Sequence, residues 1–430
     1  MNMFGQLFRG KMARNAFWLI GARVYHMAVN LVISLLMARY LGPSNYGLIN
    51  YAASFTALFT AVCTLGINGI LVNELINDDQ KGRLLGSSIV MRLCSSLCSV
   101  ITIVAIACVL NPSEPTTVWV VLIYSTTLIF QSFDSINCWY QANLESKVTA
   151  KISAVGYTAA ALYKVWLLLT QKDVCWFAAS HVVEYALVAA LLLSSYRVRA
   201  GRGQKLTASL STGRKILSKS YHFILSGLMV AVYGQMDRIM LKSMIDEASV
   251  GYYSAAVSVT AMWPFVLGAV IESAKPIILG KFGQNRQNFE RYLICLYGAV
   301  LYVSFAAAAG ITLLSKPLIY LLYGEAYMGA RGALCILCWD TAFSYLGVAR
   351  SIWMVPNGKQ KYEKYIAGSG AVCNLILNTV MIPVWGVNGA AIATLITQIF
   401  TNFIVGFFFR EIRENNFLIL KAFCFWKYLK

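Results

Sequence analysis

The stretch AFWLIGARVYHMAVNLVISLLMA, residues 16–38, is the first long apolar run of the chain and decides how the rest is read. At 23 residues it exceeds the roughly 20 that a helix needs to cross the hydrocarbon core of a bilayer. Its polar exceptions are Arg23, His26, Asn30 and Ser34, spaced by three, four and four, so a helix carries them as one stripe along an apolar rod. A charge at membrane depth costs several kcal/mol unless it faces a protein interior or a wet cavity, at least about 2.5 kcal/mol for Arg. The stripe therefore predicts a polar cavity enclosed by membrane helices. The run is not expected to be a cleaved signal peptide, since it carries Arg23, lacks an obvious small-residue cleavage site and is followed by a chain just as apolar.

Working outward, the same texture repeats over the whole chain. Apolar residues make up 58% and charged residues 13%, with a mean hydropathy of +0.63; soluble domains carry about 25% charged residues. About twelve spans are expected, near 16–38, 47–70, 86–110, 117–139, 149–169, 174–195, 220–241, 249–271, 291–315, 332–355, 363–384 and 388–409. Strands of a membrane barrel would be half as long and would alternate in polarity, so the fold class is an all-α integral membrane bundle.

The net charge of +18 is a topology signal rather than a nucleic-acid footprint. With both termini in the cytoplasm, 26 of the 36 Lys and Arg residues fall on inner loops, on tails or at the innermost end of a span (Lys151, Arg291 and Lys364), five on outer loops (Arg39, Lys172, Lys242, Lys316, Arg331) and five deeper within spans. That asymmetry is the positive-inside pattern, with attraction to anionic headgroups as a second effect. No nucleic-acid partner is expected. Eleven cysteines are scattered in or beside spans, and the pair Cys335 and Cys338 sits in an apolar helix with no second pair, so no metal, cofactor or disulfide framework is expected. No G-x-x-x-x-G-K-[ST] loop is present to cradle a nucleoside triphosphate.

The basic, hydrophilic stretch 196–219 divides the chain. The expected organisation is a six-helix bundle over 1–195, the linker 196–219, a second six-helix bundle over 220–409 and a basic tail over 410–430. The halves match weakly but in order. Tyr46-Gly47 with Ser54 answers Val250-Gly251 with Ser258, and Arg83 with Leu85 answers Arg291 with Leu293. Val174 with Ala178 answers Val387 with Ala391. Six spans per half make this a parallel repeat about an axis along the membrane normal. Pro264 in span eight is expected to bend its helix, and the tail, which mixes Arg, Lys, Phe and Trp, to rest on the membrane surface.

Several segments carry a family resemblance: Ala38 to Gly47 (ARYLGPSNYG), Gln235 to Leu241 (QMDRIML) followed by Val250 to Ala256 (VGYYSAA), Pro317 to Gly324 (PLIYLLYG), and Ile382 to Ala393 (IPVWGVNGAAIA). In this order, across twelve spans, they resemble the polysaccharide transporter (Wzx-type oligosaccharide flippase) family of the multidrug/oligosaccharidyl-lipid/polysaccharide exporter superfamily. The resemblance implies a multi-pass protein of the bacterial inner membrane that is not an enzyme. Such a protein moves an undecaprenyl-diphosphate-linked oligosaccharide, as for O-antigen or a related polymer, from the cytoplasmic to the periplasmic leaflet by alternating access of two bundles. It further implies membrane lipids as surroundings, with a polysaccharide polymerase and a chain-length regulator as pathway partners. The alternative within the superfamily is a cation-coupled multidrug exporter, for which acids should dominate the cavity.

The charges within the spans become the site candidates. Arg23, Lys164, Arg238 and Arg350 are expected to meet an anionic cargo, since Arg offers a planar fork to phosphate and acidic sugars. Arg92 and Arg350 lie near span ends and can also snorkel to headgroups, so Arg92→Ala is expected to be mild and Arg23→Ala severe. His26, Asn30, Asn374, Asn378 and Gln398 offer hydrogen bonds to sugar hydroxyls. Glu184, Asp134, Asp237 and Asp340 are the candidates for a coupling ion, H⁺ or Na⁺; Glu184 leads, unless it merely neutralises Lys164 or Arg23.

Overall fold

Within a bilayer a segment must satisfy its own backbone N–H and C=O groups, which leaves the helix as the local solution for runs of about 20 apolar residues. The computed structural model describes residues 11–78, 80–200 and 205–428, and among them all regular structure is helical. The first unit draws on α1 (Lys11–Cys63), α2 (Asn68–Asn77), α3 (Lys81–Leu110), α4 (Pro115–Ala142), α5 (Ser146–Leu169) and α6 (Val174–Arg199). Helix α7 (Leu210–Met244) leads into the second, with α8 (Glu247–Thr260), α9 (Phe265–Phe282), α10 (Arg286–Leu313), α11 (Ser315–Tyr323), α12 (Ala330–Met354), α13 (Glu363–Ile399) and α14 (Arg413–Ala422).

Nine of the described helices are long and apolar enough to cross a membrane, and the bent pair α8–α9 makes a tenth. Two of these are double. Helix α1, at 53 residues, is interrupted at Gly42 (φ 70°), directly before Pro43. Helix α13 is interrupted at Gly386 (φ 56°), three residues after Pro383. A positive φ is open to glycine at little cost and to other residues only under strain, so each glycine marks the corner between two crossings. Splitting both yields the twelve crossings that the hydropathy anticipates. The bend expected at Pro264 is a 42° break, with Pro264 capping the start of α9. Across the spans only 12% to 56% of the apolar window is buried within the protein. Side chains such as Ile101, Val109 and Leu162 stand 65% or more exposed, an apolar coat suited to lipid rather than water.

The chain separates into two compact units, residues 1–41 with 48–231, and 42–47 with 232–430. In the first, Leu71 and Leu75 of α2, Leu84, Leu85 and Ile89 of α3, Trp139 and Tyr140 of α4 and Tyr196 of α6 form the core. The described part of the linker lies along α3. Thr207 donates its N–H to the Gly82 carbonyl at 3.3 Å, and Arg83 reaches the Ser209 hydroxyl at 2.8 Å. A side chain on Gly86 would run into the Thr207 backbone.

In the second unit, Phe289, Leu293, Tyr297 and Leu301 of α10 pack with Leu346 and Trp353 of α12 and Ile366 of α13. Segment 42–47 joins this unit, and Gly47 lies backbone to backbone against Glu247 and Gly251. Gly251 in turn leaves no room for a side chain against Pro43. The tail also does something the sequence does not anticipate: one face of α14 is built into the core of the second unit, while Phe417, Leu420 and Trp426 stay exposed. Ile412, Leu418, Ile419 and Ala422 are buried, Tyr297 donates to Asn415 at 2.7 Å, and Arg291 donates to the Tyr428 carbonyl at 2.7 Å. Burying four apolar side chains against α10 outweighs leaving them at the headgroups, and the basic residues stay outward.

Candidate functional site

Each unit holds one cluster of polar side chains around a buried or nearly buried acid, Glu184 in the first and Asp237 in the second. In the first unit the centre is Glu184 on α6. Lys164 of α5 donates to it at 3.4 Å, and His26 of α1 approaches with Nε2 at 3.9 Å. Lys164 is buried at 4% exposure, and the Glu184 side chain is 12% exposed. The sequence separation of 20 between Lys164 and Glu184 becomes contact because α5 and α6 are antiparallel neighbours around a short turn. Gly156 permits it, since a side chain there would meet Val188 of α6. The His26 ring lies 3.9 Å from that of Tyr157, tilted by 32°.

Beside this cluster is a cavity of about 280 Å³, lined by Glu184, Asp134, Gln131, Asn137, Ser153 and Tyr157. Asn137 donates to Asp134 at 3.4 Å. Of the α1 stripe, His26 and Asn30 line a recess with Lys164 and Glu184, whereas the side chain of Arg23 lies outside the described residues.

Arg92 does not snorkel. It is fully buried and donates to Asn68 at the start of α2, close to Cys138, whose thiol also faces Asn68 at 3.7 Å. An inward carboxamide replaces headgroups as its partner. Arg350 behaves alike: it is 3% exposed and donates to the Thr401 carbonyl at 3.2 Å and to Asn402 at 3.5 Å, with Glu363 4.0 Å away.

The second unit centres on Asp237 of α7, 3% exposed. Its Oδ1 accepts from Asn374 at 3.1 Å and Asn378 at 2.6 Å, while Oδ2 accepts from Tyr253 at 2.6 Å and Thr394 at 2.8 Å. Three helices, α7, α8 and α13, thus converge on one carboxylate. The carbonyl oxygen of Asn378 is buried with no hydrogen-bond partner, so an acceptor is left over in a ring of hydroxyls and amides. Arg238, the next residue, points elsewhere: it donates to Ser254 at 3.0 Å and Gln235 at 2.9 Å and lies 5.9 Å from the Tyr253 ring. Gln398 accepts from Asn402 at 2.8 Å. Asp340, at the start of the second half of α12, accepts from its neighbour Thr341 at 3.4 Å.

The structure therefore brings together His26, Asn30, Lys164 and Glu184 in one unit, and Asp237, Asn374 and Asn378 in the other. Arg238, Arg350, Gln398, Asp134 and Asp340 lie outside those two direct contact sets. Tyr253, Tyr157 and Asn68 are partners that charge patterning alone does not select; the signal available for Tyr253 is its place in the segment Val250 to Ala256. Among the described residues no group of three or more His, Cys, Asp or Glu side chains could hold a metal ion, and all eleven cysteines are free.

Two units of long apolar helices, each with a buried polar cluster among the described residues, define a multi-pass membrane protein. The fold is similar to that of a lipid II flippase, MurJ, in an inward closed conformation, with a TM-score of 0.73 at 16% identity, covering 96% of this chain and 93% of that one. It is also similar to that of an inward-facing multidrug resistance MATE family transporter of the MOP superfamily, with a TM-score of 0.69 at 16% identity, covering 94% of this chain and 96% of that one. In sequence, the capsular polysaccharide biosynthesis protein CapF of Staphylococcus aureus is 20% identical over 414 residues, 93% of this chain and all of the relative. The probable low-salt glycan biosynthesis flippase Agl15 of Haloferax volcanii is 21% identical over 398 residues, 90% of this chain and 81% of the relative. The family model described as polysaccharide biosynthesis protein matches residues 12–279, and the chain belongs to that family.

Proposed function

We propose that this protein is a flippase that carries an undecaprenyl-diphosphate-linked oligosaccharide repeat unit from the cytoplasmic to the periplasmic leaflet of a bacterial inner membrane, by alternating access and without covalent chemistry. The observation that carries this reading is membership of the polysaccharide biosynthesis family, supported by the buried Lys164–Glu184–His26 cluster; among the described residues the adjoining polar cavity itself presents Glu184 and Asp134 and no Lys or Arg. A lipid diphosphate brings negative charge into a low-dielectric medium and needs compensating cations along its route. The hydroxyls and amides lining the cavity suit sugar hydroxyls. Lys164 and Arg23 are assigned to cargo capture.

Asp237 is assigned to coupling. Its carboxylate is ringed by N–H and O–H donors from Asn374, Asn378, Tyr253 and Thr394, and taking up H⁺ or Na⁺ there would redirect those donors, with the spare Asn378 side-chain carbonyl as an added acceptor. The polymer made downstream would involve a polymerase and a chain-length regulator.

The test is deletion of the gene in its host, with surface polysaccharide read on a blot and lipid-linked repeat units assigned to a leaflet. Lost polymer with repeat units held on the cytoplasmic leaflet is the expected result. Normal polymer with new sensitivity to cationic drugs would replace this reading by a multidrug exporter. Repeat units accumulating on the periplasmic leaflet would move it to polymerisation.

A further inference from the structure

Away from both clusters, the first unit holds a larger groove of about 780 Å³ where α5 begins and α6 ends. Its apolar lining comes from Val148 and Ile152 of α5 and Leu191 of α6, with the exposed Val198 of α6 at the edge. Its rim is charged, with Glu145, Lys147, Lys151 and Arg199. Glu145 is paired with Arg199 at 3.3 Å, which removes one cation from play. Lys147 and Lys151 have no carboxylate partner among the described residues and, four apart on one helix face, both border the groove. Trp18 closes one side, its ring 5.3 Å from the Lys147 ammonium. An indole against an ammonium beside an apolar lining is the arrangement found at the headgroup level of a bilayer.

We infer that this groove binds a diphosphate-headed polyprenyl lipid, holding the diphosphate between Lys147 and Lys151 and the first part of the chain on the apolar lining. Size and charge select this class. The groove is far larger than a phosphate alone would fill, yet within the range of sites that take amphiphiles and cofactors. Two unpaired ammonium groups match the two or more negative charges of a diphosphate ester, whereas a phosphodiester headgroup carries one. The groove then serves as a loading site for the lipid carrier, separate from the Lys164–Glu184 cluster, an assignment that rests on the flippase reading.

The test measures binding of geranylgeranyl diphosphate, and separately of phosphatidylglycerol, to the full-length purified protein. The variants are Lys147→Ala/Lys151→Ala and, as a charge-preserving control, Lys147→Arg/Lys151→Arg; both positions are exposed, so neither pair should disturb folding. The double alanine variant should bind the prenyl diphosphate about tenfold or more weakly, with the arginine pair near wild type and phosphatidylglycerol changed by less than about twofold. Unchanged prenyl diphosphate binding in the alanine variant would overturn the inference. So would an equal loss for phosphatidylglycerol, which would make the groove a general anionic-lipid site, or no binding to the wild type. These failures are distinct from failure of the transport reading. Gene deletion that leaves surface polymer intact, with lysine-dependent binding preserved, would overturn transport and spare the groove.

Discussion

Asn378 donates to Asp237 at 2.6 Å, tying the eleventh crossing to the seventh through a carboxylate that accepts from four side chains. Replacing Asp237 by Asn keeps the shape but turns an amide N–H₂ toward donors that need an acceptor. The expected cost is about 1–3 kcal/mol of stability, read as a lowered thermal midpoint in detergent, together with loss of transport. Asn378→Asp places a second carboxylate beside the first, and transport should become more sensitive to the cation supplied. Wild-type stability and transport in Asp237→Asn would remove the coupling assignment.

Lys164 and Glu184 form a pair that is weak evidence of stability but costly to break on one side. Lys164→Met alone leaves Glu184 buried and uncompensated, a loss of about 3–5 kcal/mol. Lys164→Met/Glu184→Leu should recover much of that loss, because two desolvated charges leave together. Transport is expected to fail in both. A double variant that is stable yet inactive separates cargo capture from folding, whereas an active one would show that the pair is only structural.

Gly47 and Gly251 answer one another in the internal repeat and press backbone against backbone in the second unit. Gly47→Ala places its Cβ onto the Glu247 carbonyl, where no rotamer change relieves the clash. Overpacking of this kind costs about 1–3 kcal/mol or more, read as reduced folded yield on size-exclusion chromatography. Gly42→Ala has open space around it and pays only for its φ of 70°, about 1–2 kcal/mol. The alanine at 47 should therefore be the more damaging of the two.

Arg83 and Arg291, a second pair from the repeat, each hold the segment that follows their own bundle: Arg83 holds Ser209 of the linker, and Arg291 holds Tyr428 of the tail. Truncation after Glu411 strips the buried Ile412, Leu418, Ile419 and Ala422 from the core, at about 1.5–3 kcal/mol for each large side chain. It should abolish folded yield, an outcome that a segment resting on the membrane surface would not produce. Arg291→Ala alone should cost only about 1 kcal/mol.

Arg92 sits fully buried on Asn68, so Arg92→Ala is expected to lower stability rather than to leave the protein unaffected. Asn68→Ala should reproduce most of the effect, and the double variant should add little, because the two residues share one interaction.

Some of this protein is written locally and some is not. Span number, the double crossings at Gly42 and Gly386 and the intramembrane charges follow from composition and spacing. Hydrocarbon punishes polar backbone so heavily that each apolar run has a single local solution. The helical stripe of His26 and Asn30 and the four-residue step from Asn374 to Asn378 were legible for the same reason, since periodicity alone puts such residues on one face. Which face meets which was not. Asp237 could have paired with any cation, and only the packing of α7, α8 and α13 gave it four donors and sent Arg238 to Ser254. Arg92 and Arg350 could have reached headgroups, yet long side chains go where partners are, and those partners lie far away in sequence. The tail shows the limit most clearly. Its mixture of basic and apolar residues fits a membrane surface and a core edge equally well, and only the apolar side of α10 shows that Ile412, Leu418, Ile419 and Ala422 are spent on the core. Local sequence sets what each segment can do in a bilayer; the contacts among helices decide which of those options is used, because packing and hydrogen bonding depend on partners that no single segment contains.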